Sequence, residues 1–451
     1  MYDAVSIEDR GKPVVALVNY GFANDAESAS RGMAMPVVRY VTTKVPCESS
    51  VMSDIEEGID GAMEAIITAM TKPLTAEEKS PKPREKENPP RLIFKGSLAE
   101  TNQFFYRRGW TDGLPIIPPT EEAVKEMLTG TDLPPDKLLG TLESRKGKVT
   151  IEKIAINAVM AGCLPTYMPV LIAGAINLIE SEPGFAGFTT FGFSTGSWAP
   201  FWIINGPIRN EINVNNSSGA FSPGNIANAA IGRAMGLIIK NLGGVRKGVE
   251  DMGVMGNPLK YTAVIAENEE ESPWEPLHVE MGYKKEESTV TLSFPQSYYQ
   301  HWPYGSDAMS LLNSIVDNLP RGMRYNMVIT PPHAKNLARE GFTKEKVKEY
   351  IVTHKLVSTA RMRAQANTGL NVRTREALDN LPADDTQLVP LIKDPRFFRI
   401  IVGGGPGAFI AHLIGGGATP GKKQIQKIEL PKNWAKLVAK YKNVVPVYAK
   451  Y

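Results

Sequence analysis

Apolar positions along this chain alternate between short unbroken runs and helical spacing, a pattern that predicts an α/β protein. Pro13–Val18 (PVVALV) is a β-branched run behind a glycine turn and reads as a buried parallel strand. Asp25–Arg31 follows as a helix, Val37–Thr42 as a second strand and Met52–Met70 as an amphipathic helix. Ile55, Ile59, Met63, Ile66 and Met70 keep the spacing of one helical face. This βαβα unit, residues 1–76, resembles an incomplete Rossmann-like unit. Its sheet is too small to stand alone, so it is expected to need strands from elsewhere.

Glu77–Arg91 (EEKSPKPREKENPPR) has proline and charge and no aliphatic residue, and marks 77–92 as a linker. Residues 93–451 read as a large mixed-sheet α/β domain. Helices are expected at Leu98–Arg107, at Ile151–Ala161 (capped by Thr150 and stopped at Gly162), after Pro165 to Glu180, and over Gly224–Asn241. Thr120 before Glu121 and Glu122 is a further N-cap signal. Strands are expected at Phe201–Gly206, Tyr261–Ala266, Ser288–Phe294, Asn326–Thr330 and Phe397–Val402. No internal repeat is visible.

A chain of 451 residues exceeds one ordinary core. A net charge of +3 gives no electrostatic case for nucleic acid or an anionic membrane as partner. The most apolar stretch, Met168–Ile179, is too short to span a bilayer and contains Pro169 and Asn177. The two cysteines, Cys47 and Cys163, form no CxxC pair, and the charged N-terminus lacks a signal-peptide core. These features point to the cytoplasm.

Five segments carry residues suited to chemistry. In RIIVGGGPGAFIAHLI, Gly403, Gly405 and Ala408 fit G-x-G-x-x-A between an expected strand and helix. Gly403, Gly405 and Gly407 are therefore candidates for an anion-facing turn, with close packing as the alternative. No acidic residue follows about twenty positions later, which argues against a dinucleotide site. AENEEESPWEPLHVE places Glu269, Glu275 and His278 after a strand, with Trp274 among them. Glu275 and His278 are the acid/base candidates, while Glu269, His278 and His301 are candidate ligands for a divalent metal. A solvated acidic loop is the plainer reading. In RRGWTDGLPIIPP, Arg107 and Asp112 suit carboxylate binding or a structural ion pair. Asn205 and Asn225 lie in Gly/Pro turns and are candidates for the floor of a substrate pocket. Cys47 in KVPCESS lies near Lys44 at the expected start of a loop that leads into a helix, where thiolate is favoured, with an inert buried thiol as the plainer reading.

The strings DAVSIEDRGKPVVALV, GMAMPVVRYVTTKVP and KPLTAEE resemble the UGSC family of (seleno)proteins, which is itself similar to the selenoprotein subunit of glycine reductase. The strings GWTDGLPIIPPT, TIEKIAINAVMAGCLPTYMPVL, ANAAIGRA and ENEEESPWEPLH resemble the large domain often joined to it. The family's Cys- or Sec-Gly-Ser-Cys motif lies upstream of a segment like Tyr2-Asp3-Ala4-Val5 and is missing from this sequence. Either a smaller partner subunit carries the nucleophile, or this branch has dispensed with it; the βαβα unit, short of strands, favours the partner. The expected function is a subunit of a thiol- or selenol-dependent enzyme cleaving a carbon–heteroatom bond of a small carboxylate-bearing substrate. The alternatives are a metal-dependent lyase or hydratase using the Glu/His residues, and a non-catalytic binding or assembly subunit.

Overall fold

The computed structural model describes residues 1–32, 35, 38–45, 51–79, 90–142, 145–181, 194–320, 324–366, 379–415 and 424–444. It has the expected mixed α/β fold. The strands in chain order are β1 (Ala16–Asn19), β2 (Tyr40–Thr43), β3 (Leu138–Leu142), β4 (Gly147–Thr150), β5 (Phe201–Asn205), β6 (Val264–Ala266) and β7 (Thr289–Ser293). After them come β8 (Ser297–His301), β9 (Tyr325–Ile329), β10 (Leu356–Ser358), β11 (Leu388–Pro390), β12 (Phe398–Val402), β13 (Ile410–Ile414) and β14 (Ile425–Lys427).

Two four-stranded sheets, ordered β14-β7-β5-β6 and β12-β9-β13-β8, form the centre of the large part. Because side chains alternate across a strand, each sheet presents two apolar faces. Trp202, Ile204, Val290 and Leu292 pack under helices Ile151–Ala161, Met168–Glu180 and Ile226–Asn241. Tyr325, Met327, Ile400 and Val402 pack under helices Ala308–Asn318, Pro331–Arg339 and Lys344–His354. The intervening positions Phe201, Ile203 and Ile265 meet Val328, Ile401 and Leu413 in a third core. The layers therefore run helix, sheet, sheet, helix.

The two sheets share one wiring, so the chain does contain an internal structural repeat. In each, an edge strand pairs parallel to its neighbour (β6 with β5, β12 with β9), and the next two pairings are antiparallel. The fourth strand is exchanged: β8 follows β7 in sequence but pairs with β13, while β14 follows β13 but pairs with β7. The exchange ties each half to the other's sheet.

In the N-terminal unit β1 and β2 pair in parallel around helix Ala23–Gly32. Helix Met52–Thr71 lies against β2 and buries one of its twenty residues, Ala62. Met63, Ile67 and Met70 are 43%, 54% and 49% exposed, so an apolar flank of this helix faces outward. Helix Ala23–Gly32 touches the large part through Ser28 Oγ, which donates to Glu250 and accepts from Arg246 Nη2 at 3.0 Å.

Candidate functional site

Parallel strands β5 and β6 end together, and their ends carry a buried polar cluster. Asn205 closes β5, and its Nδ2 donates to Glu267 (2.7 Å) and Glu269 (3.1 Å). The Gly206 amide adds 2.7 Å to Glu269, and the Leu277 amide 2.8 Å to Glu267. Arg209, on the short helix after β5, grips Glu270 through both terminal nitrogens at 2.8 and 2.7 Å, and its Nε lies 3.1 Å from Glu269. That fork holds the Glu270 carboxyl down at about 2. Lys344 reaches in from the opposite helical layer to Glu267 (3.4 Å), Glu280 (3.2 Å) and the Glu275 carbonyl (2.7 Å). Burial alone would lower the Lys344 pKa, but the carboxylates of Glu267 and Glu280 raise it above its ordinary value.

Glu275 itself does not join this cluster. Its side chain is exposed, and only its backbone carbonyl takes part. His278 is fully buried, with Nδ1 3.9 Å from Glu269 and no hydrogen bond at either ring nitrogen. Trp274 is half-buried and donates to the Phe342 carbonyl, which explains an indole within an acid run. The expected Glu275–His278 pair is therefore replaced by Glu269 beside His278. Arg209 and Lys344 are the members that sequence reasoning passed over, whereas Glu267 belongs to the expected acidic run without being singled out from it.

The expected metal set is not assembled either. His301 ends β8 in the second sheet, where its Nδ1 lies 3.1 Å from His412 Nε2, whereas Glu269 and His278 belong to the first sheet's edge. Among the described residues, no group of three or more His, Cys, Asp or Glu side chains is arranged to hold a metal ion. Burial, with His333 nearby, lowers His301 to about 4, and burial beside His301 lowers His412 to about 3. Both imidazoles are neutral at physiological pH.

The glycine turn joins β12 to strand β13, so no helix N-terminus stands behind it. Gly403 donates to Ile329 O, Gly404 to Asn216 O and Gly407 to Gly405 O, so two of the three candidate amides are already committed to backbone carbonyls. A Cβ on Gly405 would come within 1.8 Å of Ser218 Oγ, so close packing accounts for the glycine. Asn225 is also committed: Nδ2 donates to Gly219 O and Ser222 O, and Oδ1 accepts from Asn215. Arg107 is exposed, and the partner of Asp112 is instead Arg233. Arg108 covers the rings of Phe104 and Trp110. Cys47 lies outside the described residues. Cys163 is buried, donates to Ala230 O, and has its pKa raised by desolvation, as a structural thiol does.

Asp112 and Arg233 line a pocket of about 170 Å³ on the outer side of helix Ile226–Asn241. Trp198, Ile239, Tyr261 and Phe294 supply its apolar wall, and Lys240, Lys247, Lys260 and Asp251 its polar one. Lys260 grips both oxygens of Asp251 at 2.6 Å. Lys240 donates to Gly109 O, and burial followed by the nearby Arg246 charge lowers its pKa. Four cations thus face two carboxylates across an apolar floor. The wall from Val245 to Asp251 is continuous with Arg246 and Glu250, which hold helix Ala23–Gly32. Among the described residues no helix is long and apolar enough to cross a membrane. No protein-family model, curated protein or solved structure matches the chain.

Proposed function

We propose that the chain is the substrate-binding subunit of a thiol- or selenol-dependent enzyme acting on a small carboxylate-bearing molecule. The observation that carries this reading is the pocket beside helix Ile226–Asn241: cationic excess over an aromatic floor, in a volume of about 170 Å³, suits a short organic anion. Arg233 and Lys240 hold the carboxylate, and Trp198 and Phe294 shield the adjacent carbon from water. The reactive chalcogen comes from a smaller partner of the Cys-Gly-Ser-Cys type implied by the UGSC resemblance. Its thiolate or selenolate bonds to the substrate carbon as the carbon–heteroatom bond breaks and the heteroatom leaves with the bonding pair.

Two features of the N-terminal unit support a partner. β1 and β2 form a two-stranded parallel sheet, with a groove of about 600 Å³ between β2 and the small residues Gly61, Ala65 and Thr68 of helix Met52–Thr71. An added strand would fill that groove and cover part of the exposed helix. The same unit abuts the pocket wall through Ser28, Arg246 and Glu250.

The test is purification of the complex from cells that make it, followed by native mass spectrometry and turnover before and after thiol alkylation. A small chain whose alkylation stops turnover is expected, as is weakening of short-carboxylate binding by tenfold or more in Lys240→Met. A fully active species containing this chain alone sinks the partner reading. Wild-type protein that binds no short carboxylate sinks the substrate reading.

A further inference from the structure

We infer that His301 and His333 form a two-histidine site for a transition-metal ion, with His412 behind them fixing the tautomer of His301. The chain has five histidines, and three of them converge here from separate parts of the sequence. β8 ends in His301, opposite Ile410 of β13, and His412 lies two residues further along β13, opposite Tyr299. The period of two puts His301 and His412 on the same face, beneath the helical layer. His333 enters that layer from the first turn of helix Pro331–Arg339. Ile329, the last residue of β9, pairs with Ile410, which in turn pairs with His301, and β9 runs through Thr330 straight into this helix, so His333 comes in over the His301 end of the sheet.

All three rings are buried, yet His301 Nε2 and His412 Nδ1 have no hydrogen-bond partner, and His333, with only the Ala408 backbone in reach, makes no well-formed hydrogen bond at either nitrogen. A buried polar atom left in this state costs about 1–3 kcal/mol, so a row of them in one place calls for a ligand. The Thr330 hydroxyl, at the start of the helix that carries His333, is itself engaged, donating to Gly407 O at 2.8 Å. The His301–His412 contact occupies one nitrogen of each ring, at 3.1 Å with the ring planes only 10° apart. With Nδ1 of His301 engaged by His412, Nε2 is left as the ligand atom. That is the arrangement by which an outer hydrogen bond orients a metal-binding imidazole.

Imidazole pairs without carboxylates or thiolates suit zinc, cobalt, nickel or copper rather than magnesium or calcium. Two protein ligands leave further coordination positions for water or for a donor atom of a small molecule. Trp302, 70% exposed, packs against Phe409 with ring centroids 5.9 Å apart beside His301, and the pair forms an apolar rim to the site. This site does not depend on the pocket or on the partner chemistry proposed above.

The test is titration of the untagged full-length chain with Co²⁺ alone, read by visible absorption and metal analysis. One Co²⁺ per chain is expected, with two imidazole nitrogens in its X-ray absorption spectrum. His301→Gln and His333→Gln should each abolish binding, His412→Phe should weaken it about 10–100-fold, and His354→Gln should leave it unchanged. The absorption spectrum of the wild-type protein keeps the test decisive if a variant fails to fold. Sub-stoichiometric cobalt, a spectrum without imidazole, or full retention in both His301→Gln and His333→Gln overturns the assignment.

Discussion

Arg233 holds Asp112 in a two-point contact, Nε to Oδ2 at 2.8 Å and Nη2 to Oδ1 at 3.0 Å, across 121 positions of sequence. The same guanidinium also donates to Pro115 O at 2.7 Å, so it fastens the GWTDGLP turn to helix Ile226–Asn241 and to the pocket wall. Substituting either partner should cost about 1–3 kcal/mol of stability, the worth of charge-assisted hydrogen bonds in a half-buried place. Ligand binding should separate the two. Arg233→Ala removes a cation and weakens short-carboxylate binding, whereas Asp112→Ala releases one and strengthens it. Urea denaturation and calorimetry measure the two effects, and affinity changes of the same sign would refute the anion pocket.

Lys344 offers a sharper stability test. Its ammonium group is buried between Glu267 and Glu280 and also donates to the Glu275 carbonyl. Lys344→Met would leave carboxylates buried without their cation, and such a break typically costs about 3–5 kcal/mol. The loss should appear in chemical denaturation monitored by tryptophan fluorescence. Restoring neutrality with Glu267→Gln in the same chain should recover part of it, because the Gln oxygen still accepts from Asn205 and Leu277.

Much of the fold was legible because its signals are local. Thr120 accepts from Ala123 and Thr150 from Lys153, as their positions before acidic or apolar first turns suggest, and Gly162 ends its helix at φ 83°. β13 escaped because Ile410, Leu413 and Ile414 also have helical spacing, and alanine and leucine in FIAHLI favour a helix. Only the pairing of β13 between β8 and β9 decides the matter. The strand exchange between the halves is equally non-local, so the repeat left no mark in the pattern. At the site, the acidic run identified Glu269 and His278 but not which carboxylates turn inward. Lys344 is 77 positions from Glu267, and its neighbours KEKVKE read as an ordinary charged helix.

Gly206 is a position where backbone geometry, rather than a side chain, sets the site. Its φ is +82°, and an added Cβ would come within 2.3 Å of the Glu287 carbonyl. Its amide also anchors Glu269 at 2.7 Å. Gly206→Ala should therefore destabilise by about 1–3 kcal/mol from backbone strain alone, with an added penalty from the displaced carbonyl. Gly224→Ala, also at positive φ but with open space around its Cβ, should show the strain without that penalty. Equal losses in the two variants would show that the close approach to Glu287 contributes nothing.

The contact between the N-terminal unit and the large part should depend on pH. Asp25 has its pKa raised from 3.8 to about 6, first by burial and then by Glu250, with the Met1 ammonium opposing. Its Oδ1 is buried without a partner. A carboxyl whose pKa is raised in the folded state destabilises that state once ionised. The penalty is absent below about 3.8, grows as pH rises towards 6, and is complete above it. Glu250 works the other way: burial raises its pKa, but Arg246 and Ser28 outweigh this and lower it, so Glu250 stays charged while Asp25 titrates. Docking of helix Ala23–Gly32 should therefore tighten as pH falls from 7 to 5. Asp25→Asn should remove most of this dependence and stabilise the contact at pH 7, because a neutral amide carries no charge to repel Glu250. Hydrogen exchange of the Ala23–Gly32 amides at pH 5 and 7, corrected for intrinsic rates, reads the docking directly. If wild-type and Asp25→Asn protection change in parallel across this range, Asp25 is not the titrating group at the contact.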